Sequence, residues 1–392
     1  MISFEEARRI ILEIPVKVKE VEEIDFMESM GRVLAEDIRS DMNMPPFDKT
    51  AVDGYACRRS DINKPLKVIE HVPAGQMPKK EIGEGECSKV MTGAPVPKGA
   101  DMVLMVEDCE ELGDDQIRYV GQSKSGNICF LAEDIAKDDV VLPANTLIKS
   151  QHIAVMAAVG ATKVKVYQKV KAAILSTGDE LVEPQVKPGP SQIRNSNSWQ
   201  LLTQVKRAGA DAEYMGIVLD TMEDTRKKLR KALENSDIVF LSGGVSSGDY
   251  DYVPVIMKEL GLEILFDSIA VQPGRPTTLA AGNGKFVFGL PGNPVSSFVQ
   301  FELLGKMLIA SMNNIEMPDR IVKCVLGADI TRKKAKRKSF YPVKLNEKGE
   351  IVPIEYHGSA HINSLNDAEG AIAMDIGVME IKKGTLTDVR FF

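Results

Sequence analysis

The chain is poor in the residues that build disulfide frameworks and transition-metal centres. Across 392 residues it carries five cysteines and four histidines. Cys57, Cys87, Cys109, Cys129 and Cys324 are scattered, odd in number and free of any CxxC pair. They read as reduced thiols of a cytoplasmic protein and argue against structural zinc. Of the histidines, only His357 and His361 stand at helical spacing, with no further ligand nearby, so no transition-metal site is expected there. No run of about 18 apolar residues occurs, and no membrane span is expected. The opening residues, MISFEEARRIILEI, lack the basic start and small-residue cleavage site of a secretory signal. A net charge of −7 removes the bulk positive potential on which many nucleic-acid binders depend. Neither the P-loop pattern GxxxxGK nor a dinucleotide GxGxxG turn is present.

What remains is 44% apolar and 27% charged, the composition of a globular protein. The length exceeds one ordinary core, so two to four domains are expected. Residues 1–40 read as helical, first through Phe4, Ala7, Ile10, Ile11 and Ile14 up to Pro15, then through a second segment near 24–35. From Met44 to about Cys129 short apolar runs alternate with Pro, Gly and Asp, the pattern of a small all-β domain. Asp53-Gly54 within it is a natural tight-turn pair. Residues 127–165 return to a mixed pattern that could pack beside the first forty residues, making the β domain an insertion. From Lys171 strands alternate with helices over about 140 residues, which means a doubly wound, mostly parallel sheet. Past Pro318 the texture is β again, consistent with a small C-terminal barrel. The basic run Arg332-Lys333-Lys334 with Lys336-Arg337-Lys338 reads as a solvated hairpin.

Ligands of an open α/β sheet bind outside the carboxyl ends of its strands. Five such ends are legible. One leads to Ser176-Thr177-Gly178-Asp179-Glu180, a second to Asp220, and a third to DIVFLSGGVSSGDYD (237–251). The last two lead to Gln272-Pro273-Gly274-Arg275-Pro276 and Leu290-Pro291-Gly292-Asn293-Pro294-Val295-Ser296. Glycine turns and hydroxyls that suit oxyanions thus share a rim with carboxylates that repel them. A hard cation such as Mg²⁺, bridging carboxylate and phosphate oxygens, reconciles the two. Arg275 adds direct anion charge. The residues alone point to a phosphorylated ligand, an oxyanion and Mg²⁺.

PPFDKTAVDGYA, VMTGAPVPKGAD, NICFLAEDI, LSTGDEL, SGGVSSGDYD, QPGRP and LPGNPVS, in this order, resemble the MoeA family of molybdopterin molybdenumtransferases, related to the C-terminal domain of gephyrin. The resemblance covers essentially the whole chain. It implies Mg²⁺-dependent insertion of molybdate into adenylylated molybdopterin with release of AMP, the substrate coming from a MogA-type adenylyltransferase. It implies a homodimer of four-subdomain subunits, here an elongated dimer arm (1–43 with 135–169), a small β-barrel (44–134), a MogA-like α/β subdomain (170–317) and a C-terminal β-barrel (318–392). The active cleft would lie between subunits. Asp53, Thr92 and Asp134 match motif positions on the β-domain side, and Glu180, Asp220 and Asp251 on the α/β side. The last three are the expected Mg²⁺ ligands. Gly243, Gly244, Ser246, Ser247, Gly274, Arg275, Pro291, Gly292, Asn293 and Pro294 are the expected binding residues for pterin and oxyanion.

Several positions depart from the family pattern. Cys129 replaces an arginine and Ala132 a glycine in the NVRxxGED motif. KPGKP appears as QPGRP, losing one cation at Gln272 and exchanging another at Arg275, and arginine binds anions differently from lysine. Ser191 begins a motif that usually opens with Gly, and Pro342 occupies a position often held by arginine. Losing positive groups should weaken or alter oxyanion binding unless the 332–338 run compensates. A tungstate-preferring enzyme and a non-catalytic pterin-binding scaffold are the alternative readings. Retention of Asp53, Asp134, Glu180, Asp220 and Asp251 argues against the scaffold.

Overall fold

The computed structural model describes residues 1–122, 125–244, 252–315, 321–354 and 358–392. The chain forms two compact units. One holds residues 1–22, 31–35 and 165–392, and the other residues 23–30 and 36–164.

The larger unit is built on a six-stranded sheet in the order Asp211–Val218, Lys171–Thr177, Ile238–Ser242, Lys285–Leu290, Thr278–Gly282, Glu263–Phe266. The first four run parallel, and Thr278–Gly282 runs against its neighbours. The sequence marked the strand end at Leu290 but not the hairpin partner Thr278–Gly282 that pairs with Lys285–Leu290. Strand Ile238–Ser242 is buried along its whole length and alternates between two cores. Ile238 and Phe240 face the core that contains Val205, Phe288 and Phe301, while Val239 and Leu241 face the one with Leu229 and Ile256. Helices on both faces therefore follow directly from a strand that is apolar at every position.

The covering helices start where the sequence marks them. Thr221 caps Met222–Asn235 by accepting from the Asp224 N–H at 3.3 Å. Pro254 stands in the first turn of Val253–Glu259, where its missing N–H is not needed. A continuous helix spans Pro294–Met312 with a π-turn at Phe301–Gly305. By length and hydropathy it could cross a membrane, but 78% of it is buried inside the fold, as a core helix is. The helix Phe4–Glu13 buries Phe4, Ala7 and Ile11 in the same core.

Residues 24–35 do not form the expected second α-helix. The chain runs extended at Val21–Asp25 and turns through one 3₁₀ turn at Phe26–Glu28. The backbone then pairs outward, Ala35 N–H to Lys165 O at 2.9 Å and Tyr167 N–H to Val33 O at 3.0 Å. Apolar spacing alone could not reveal these non-local hydrogen bonds, which satisfy the backbone in place of a helix.

A second six-stranded sheet lies in the C-terminal part, five strands in the order Val271–Gln272, Lys338–Leu345, Gly370–Met374, Leu386–Phe391, Ile321–Val325, with Ile351–Pro353 beside Lys338–Leu345. Its parallel register sets Val271 opposite Lys338 and Gln272 opposite Ser339. This pairing joins the root of the QPGRP turn to the end of the basic run. In that run Lys333, Lys334 and Lys336 are exposed as expected, but the run is no hairpin: Ile330–Thr331 pairs with Glu380–Ile381 and Lys338–Leu345 lies in another sheet. Arg332 departs from that reading. Its guanidinium donates to Val378 O at 2.7 Å, Arg337 O at 2.8 Å, Ser339 Oγ at 2.7 Å and Asp375 O.

The smaller unit centres on a sheet in the order Met102–Met105, Gly54–Cys57, Glu86–Val90, Leu66–Val72, Gln116–Tyr119, Cys109–Gly113. One face buries Tyr55, Cys57, Cys87, Leu104 and Ile117. The other buries Ala56, Val72, Val90 and Val103. The helix Ser150–Ala158 also belongs to this unit, and the strand Lys163–Tyr167 runs across its boundary at residue 164. All five cysteines are free. Burial pushes the Cys57 and Cys87 thiols up to about 12.

Candidate functional site

The parallel strands deliver their carboxyl ends to one edge of the larger unit. After Lys171–Thr177 the chain turns at Gly178, φ +146°, whose N–H donates to Val218 O of the neighbouring strand at 3.2 Å. Glu180 folds back over this turn, so that a Cβ added at Gly178 would meet Glu180 Oε2 at 2.5 Å. Past the neighbouring strand, the Asp220 N–H donates to Asp179 Oδ1 at 3.1 Å. Glu180 and Asp220 thus follow adjacent strand ends, and carboxylate oxygen is the ligand type that a hard cation takes. Among the described residues no group of three or more metal-ligating side chains is assembled. The third expected ligand, Asp251, lies outside the described residues, as do Ser246, Ser247, Asp249 and His357.

Gly243 and Gly244 follow Ile238–Ser242 with φ of +89° and +66°. A Cβ at either would stand 2.8 Å from Thr177 Oγ1, so conformation and space both demand glycine. The Gly243 N–H donates to Leu290 O at 3.0 Å, tying this turn to the strand that enters the LPGNPVS loop. Asn197 completes the tie: its Nδ2 donates to Ser242 Oγ and to Gly292 O, each at 2.7 Å. Sequence reasoning passed over Asn197 as a site organiser, although it closes the motif opened at Ser191. Beneath it, buried Ser176 bonds Ser198 at 2.7 Å and Asn195 at 3.1 Å.

A pocket of about 660 Å³ opens beside these turns. Glu180 lines one side, and the QPGRP and PGNP turns supply Arg275 and Asn293. The QPGRP turn contains a cis Gln272–Pro273 peptide and Gly274 at φ +102°. The buried Gln300 side chain supports it, Nε2 donating to Pro273 O at 2.8 Å. One contributor was missed in the sequence, and another belongs to the 332–338 run that the sequence offered as a compensating charge. Ser359 accepts from Asn293 Nδ2 at 3.0 Å, and its carbonyl accepts the Val295 N–H at 3.1 Å. Arg337, at the end of the basic run, lines the pocket and donates to Gln272 Oε1 at 3.4 Å. Pro342 is buried in its strand and adds no cation here.

In the smaller unit, Asp53 and Thr92 are joined directly. Asp53 Oδ1 accepts the Thr92 backbone N–H at 2.6 Å and its hydroxyl at 2.7 Å. These two donors, the backbone one foremost, hold the Asp53 carboxyl below the usual aspartate range. Gly54 is not the turn residue its sequence suggested. It opens the buried strand Gly54–Cys57, and a Cβ there would lie 1.9 Å from Leu104 O. Asp134 lines a pocket of about 520 Å³ with Met44, Lys49, Cys129 and Glu133, without Asp53 or Thr92. Cys129 therefore leaves Lys49 as the cation of that pocket's described lining. Ala132, standing where the motif usually has glycine, adopts φ +60°.

Comparison with known proteins matches this layout from end to end. Residues 2–160 match the MoeA N-terminal region (domain I and II), 173–310 a probable molybdopterin binding domain, and 323–392 the MoeA C-terminal region (domain IV). The chain is 33% identical over 398 residues to a molybdopterin molybdenumtransferase of Staphylococcus epidermidis, covering 99% of this chain and 95% of that protein. This chain belongs to the MoeA family. A Bacillus subtilis molybdopterin molybdenumtransferase is likewise 33% identical, over 95% of this chain and 90% of its own. The crystal structure of the molybdopterin biosynthesis MoeA protein from Pyrococcus horikoshii OT3 superposes with a TM-score of 0.86 at 31% identity, covering all of both chains. The MoeA relatives are transferases of molybdenum cofactor biosynthesis, and this chain shares their multidomain fold with a molybdopterin-binding α/β domain.

Proposed function

We propose that this MoeA-family chain inserts molybdate into adenylylated molybdopterin in the cytoplasm, with Mg²⁺, releasing AMP. The observation that carries this reading is the pocket beside the strand ends. There guanidinium groups, the PGNP turn and the carboxylate of Glu180 line one cavity of about 660 Å³. Arg275 is exposed at its mouth and offers a planar fork to a tetrahedral dianion. Glu180, Asp220 and Asp251 would hold Mg²⁺, which offsets charge on the phosphate oxygens when bound. Asp53, kept ionised by Thr92, would serve as an acceptor on the opposing wall, with Asp134, across the interface of a homodimer. Bringing the two dithiolene sulfurs against the oxyanion is positioning more than acid–base work. The adenylylated substrate would come from a MogA-type partner.

The test is purified protein with adenylylated molybdopterin, molybdate and Mg²⁺. AMP release with cofactor formation is expected, and neither appearing overturns the reading. Asp251→Ala is expected to abolish turnover while leaving the dimer intact, and a fully active variant removes Asp251 from the metal site. Because QPGRP differs in its cations from KPGKP, the same assay run with tungstate in competition decides the oxyanion. Equal or better use of molybdate removes the tungstate alternative.

A further inference from the structure

A second cavity, of about 680 Å³, lies in the C-terminal part and takes no part in the proposed reaction. One wall is the 3₁₀ turn Ile362–Leu365 with the residues just before it. Gly358 and Ser359 line the pocket beside the strand ends, whereas Ala360, Ile362, Asn363 and Ser364 line this one. The segment between is braced from within. The His361 N–H donates to Gly358 O at 3.1 Å, and Ser364 Oγ donates to His361 O at 2.7 Å. The opposite wall comes from Lys344 in the strand Lys338–Leu345 and from Pro353 and Ile354 at the end of Ile351–Pro353.

The lining is divided in its chemistry. Pro353, Ile354 and Ile362 give it an aliphatic side, and Ile362 is left 44% exposed on its turn. The polar side holds one charge of each sign, Lys344 Nζ and Asp367 Oδ2, 2.8 Å apart. These side chains are 43% and 62% exposed. So exposed a pair contributes little to stability, and a ligand parts it at small cost. Asn363 adds a donor. Its Oδ1 accepts from Asn366 Nδ2 at 2.8 Å, which fixes the amide, and among the described residues its own Nδ2 meets no acceptor. An anion drawn to Lys344 would meet the carboxylate of Asp367, and a cation drawn to Asp367 would meet the ammonium of Lys344. A zwitterion satisfies both.

We propose that this cavity is a second small-molecule site, taking a zwitterion with an aliphatic body, of the amino-acid class. Lys344 and Asn363 receive the carboxylate, Asp367 the ammonium, and Pro353, Ile354 and Ile362 the body. The volume suffices for such a ligand.

Isothermal titration calorimetry of the full chain with L-leucine tests this, beside isocaproate and isoamylamine, which carry the same body with one charge only. L-Leucine is expected to bind at least about tenfold more tightly than either. Lys344→Gln and Asp367→Asn are each expected to weaken L-leucine binding at least about tenfold, with thermal melting to confirm that both are folded. Isocaproate should bind Asp367→Asn more tightly than the unaltered chain, because the repelling carboxylate is gone. No binding of L-leucine at millimolar concentration overturns the site. Equal binding of all three compounds, or binding that neither variant changes, overturns the zwitterion assignment. None of these readouts uses molybdate or pterin, so the molybdenumtransferase reading stands whichever result is obtained.

Discussion

Asp53 Oδ1 receives two hydrogen bonds from one residue, the backbone N–H of Thr92 at 2.6 Å and its hydroxyl at 2.7 Å. Both donors favour the ionised carboxylate, which is why Asp53 titrates below its usual range. Thr92→Val keeps the shape and the N–H but removes the hydroxyl. Carboxyl-detected NMR titration should show the Asp53 pKa rising in this variant while remaining below the usual value. A depressed folded-state pKa stabilises the fold fully above the unfolded aspartate value, about 3.9. That stabilisation is lost as pH falls through the folded-state value. The difference between wild type and Thr92→Val should therefore be present near neutral pH and vanish in acid. An unchanged titration would show that the hydroxyl contributes nothing.

Glu302 sits in the π-turn of the core helix, with its side chain only 1% exposed. It is held by Gln204 Nε2 at 2.7 Å, Lys306 Nζ at 3.1 Å and the Arg207 guanidinium. Glu302→Ala should cost about 3 kcal/mol, because it strips a buried amide and two cations of their acceptor. Urea unfolding measures this. A cost under about 1 kcal/mol, the range of a surface pair, would mean that solvent already screens the group.

Ala132 occupies the left-handed region at φ +60°. A Cβ there costs about 1–2 kcal/mol, against about 0.4–1 kcal/mol of extra chain entropy when glycine is unfolded. Ala132→Gly should therefore stabilise the protein by about 0.5–1 kcal/mol. Thermal melting reads this directly, and a destabilised variant would show that the methyl group makes compensating contacts.

The thiols of Cys57 and Cys87 are fully buried and pushed up to about 12, and burial also raises Cys109 to about 11. Only the thiolate reacts with alkylating reagents. Mass-spectrometric mapping after brief iodoacetamide treatment at pH 8 should find Cys129 and Cys324 modified first. Cys57 and Cys87 should react only on unfolding. Rapid labelling of Cys57 in native protein would show that its strand opens locally.

Much of this architecture was legible because it is local. A four-residue run apolar at every position, Ile238 to Leu241, forms a strand buried on both faces, whatever follows it. Thr221 with Asp224 and Pro254 mark helix starts through backbone rules that act within one turn. Gly243 and Gly244 announce a turn that other residues cannot make. The motifs from PPFDKTAVDGYA to LPGNPVS were long enough to show the MoeA resemblance without any coordinates.

Side chains that meet across the fold were not legible in this way. Gly54 read as a turn glycine, yet it is needed because Leu104 O lies where its Cβ would go, a contact set by the pairing of Gly54–Cys57 with Met102–Met105. Arg337 read as part of a solvated basic run, and only the register of Gln272 against Ser339 brings it to the pocket. Asn197 spans from Ser242 to Gly292, residues 45 and 95 positions away. Periodicity, capping and turn chemistry depend on neighbours within a few residues, so the sequence alone determined the elements, their order and the family. Sheet register decides which distant side chains share a space, and it depends on packing the whole core. The tertiary structure therefore decided which cations face the pocket.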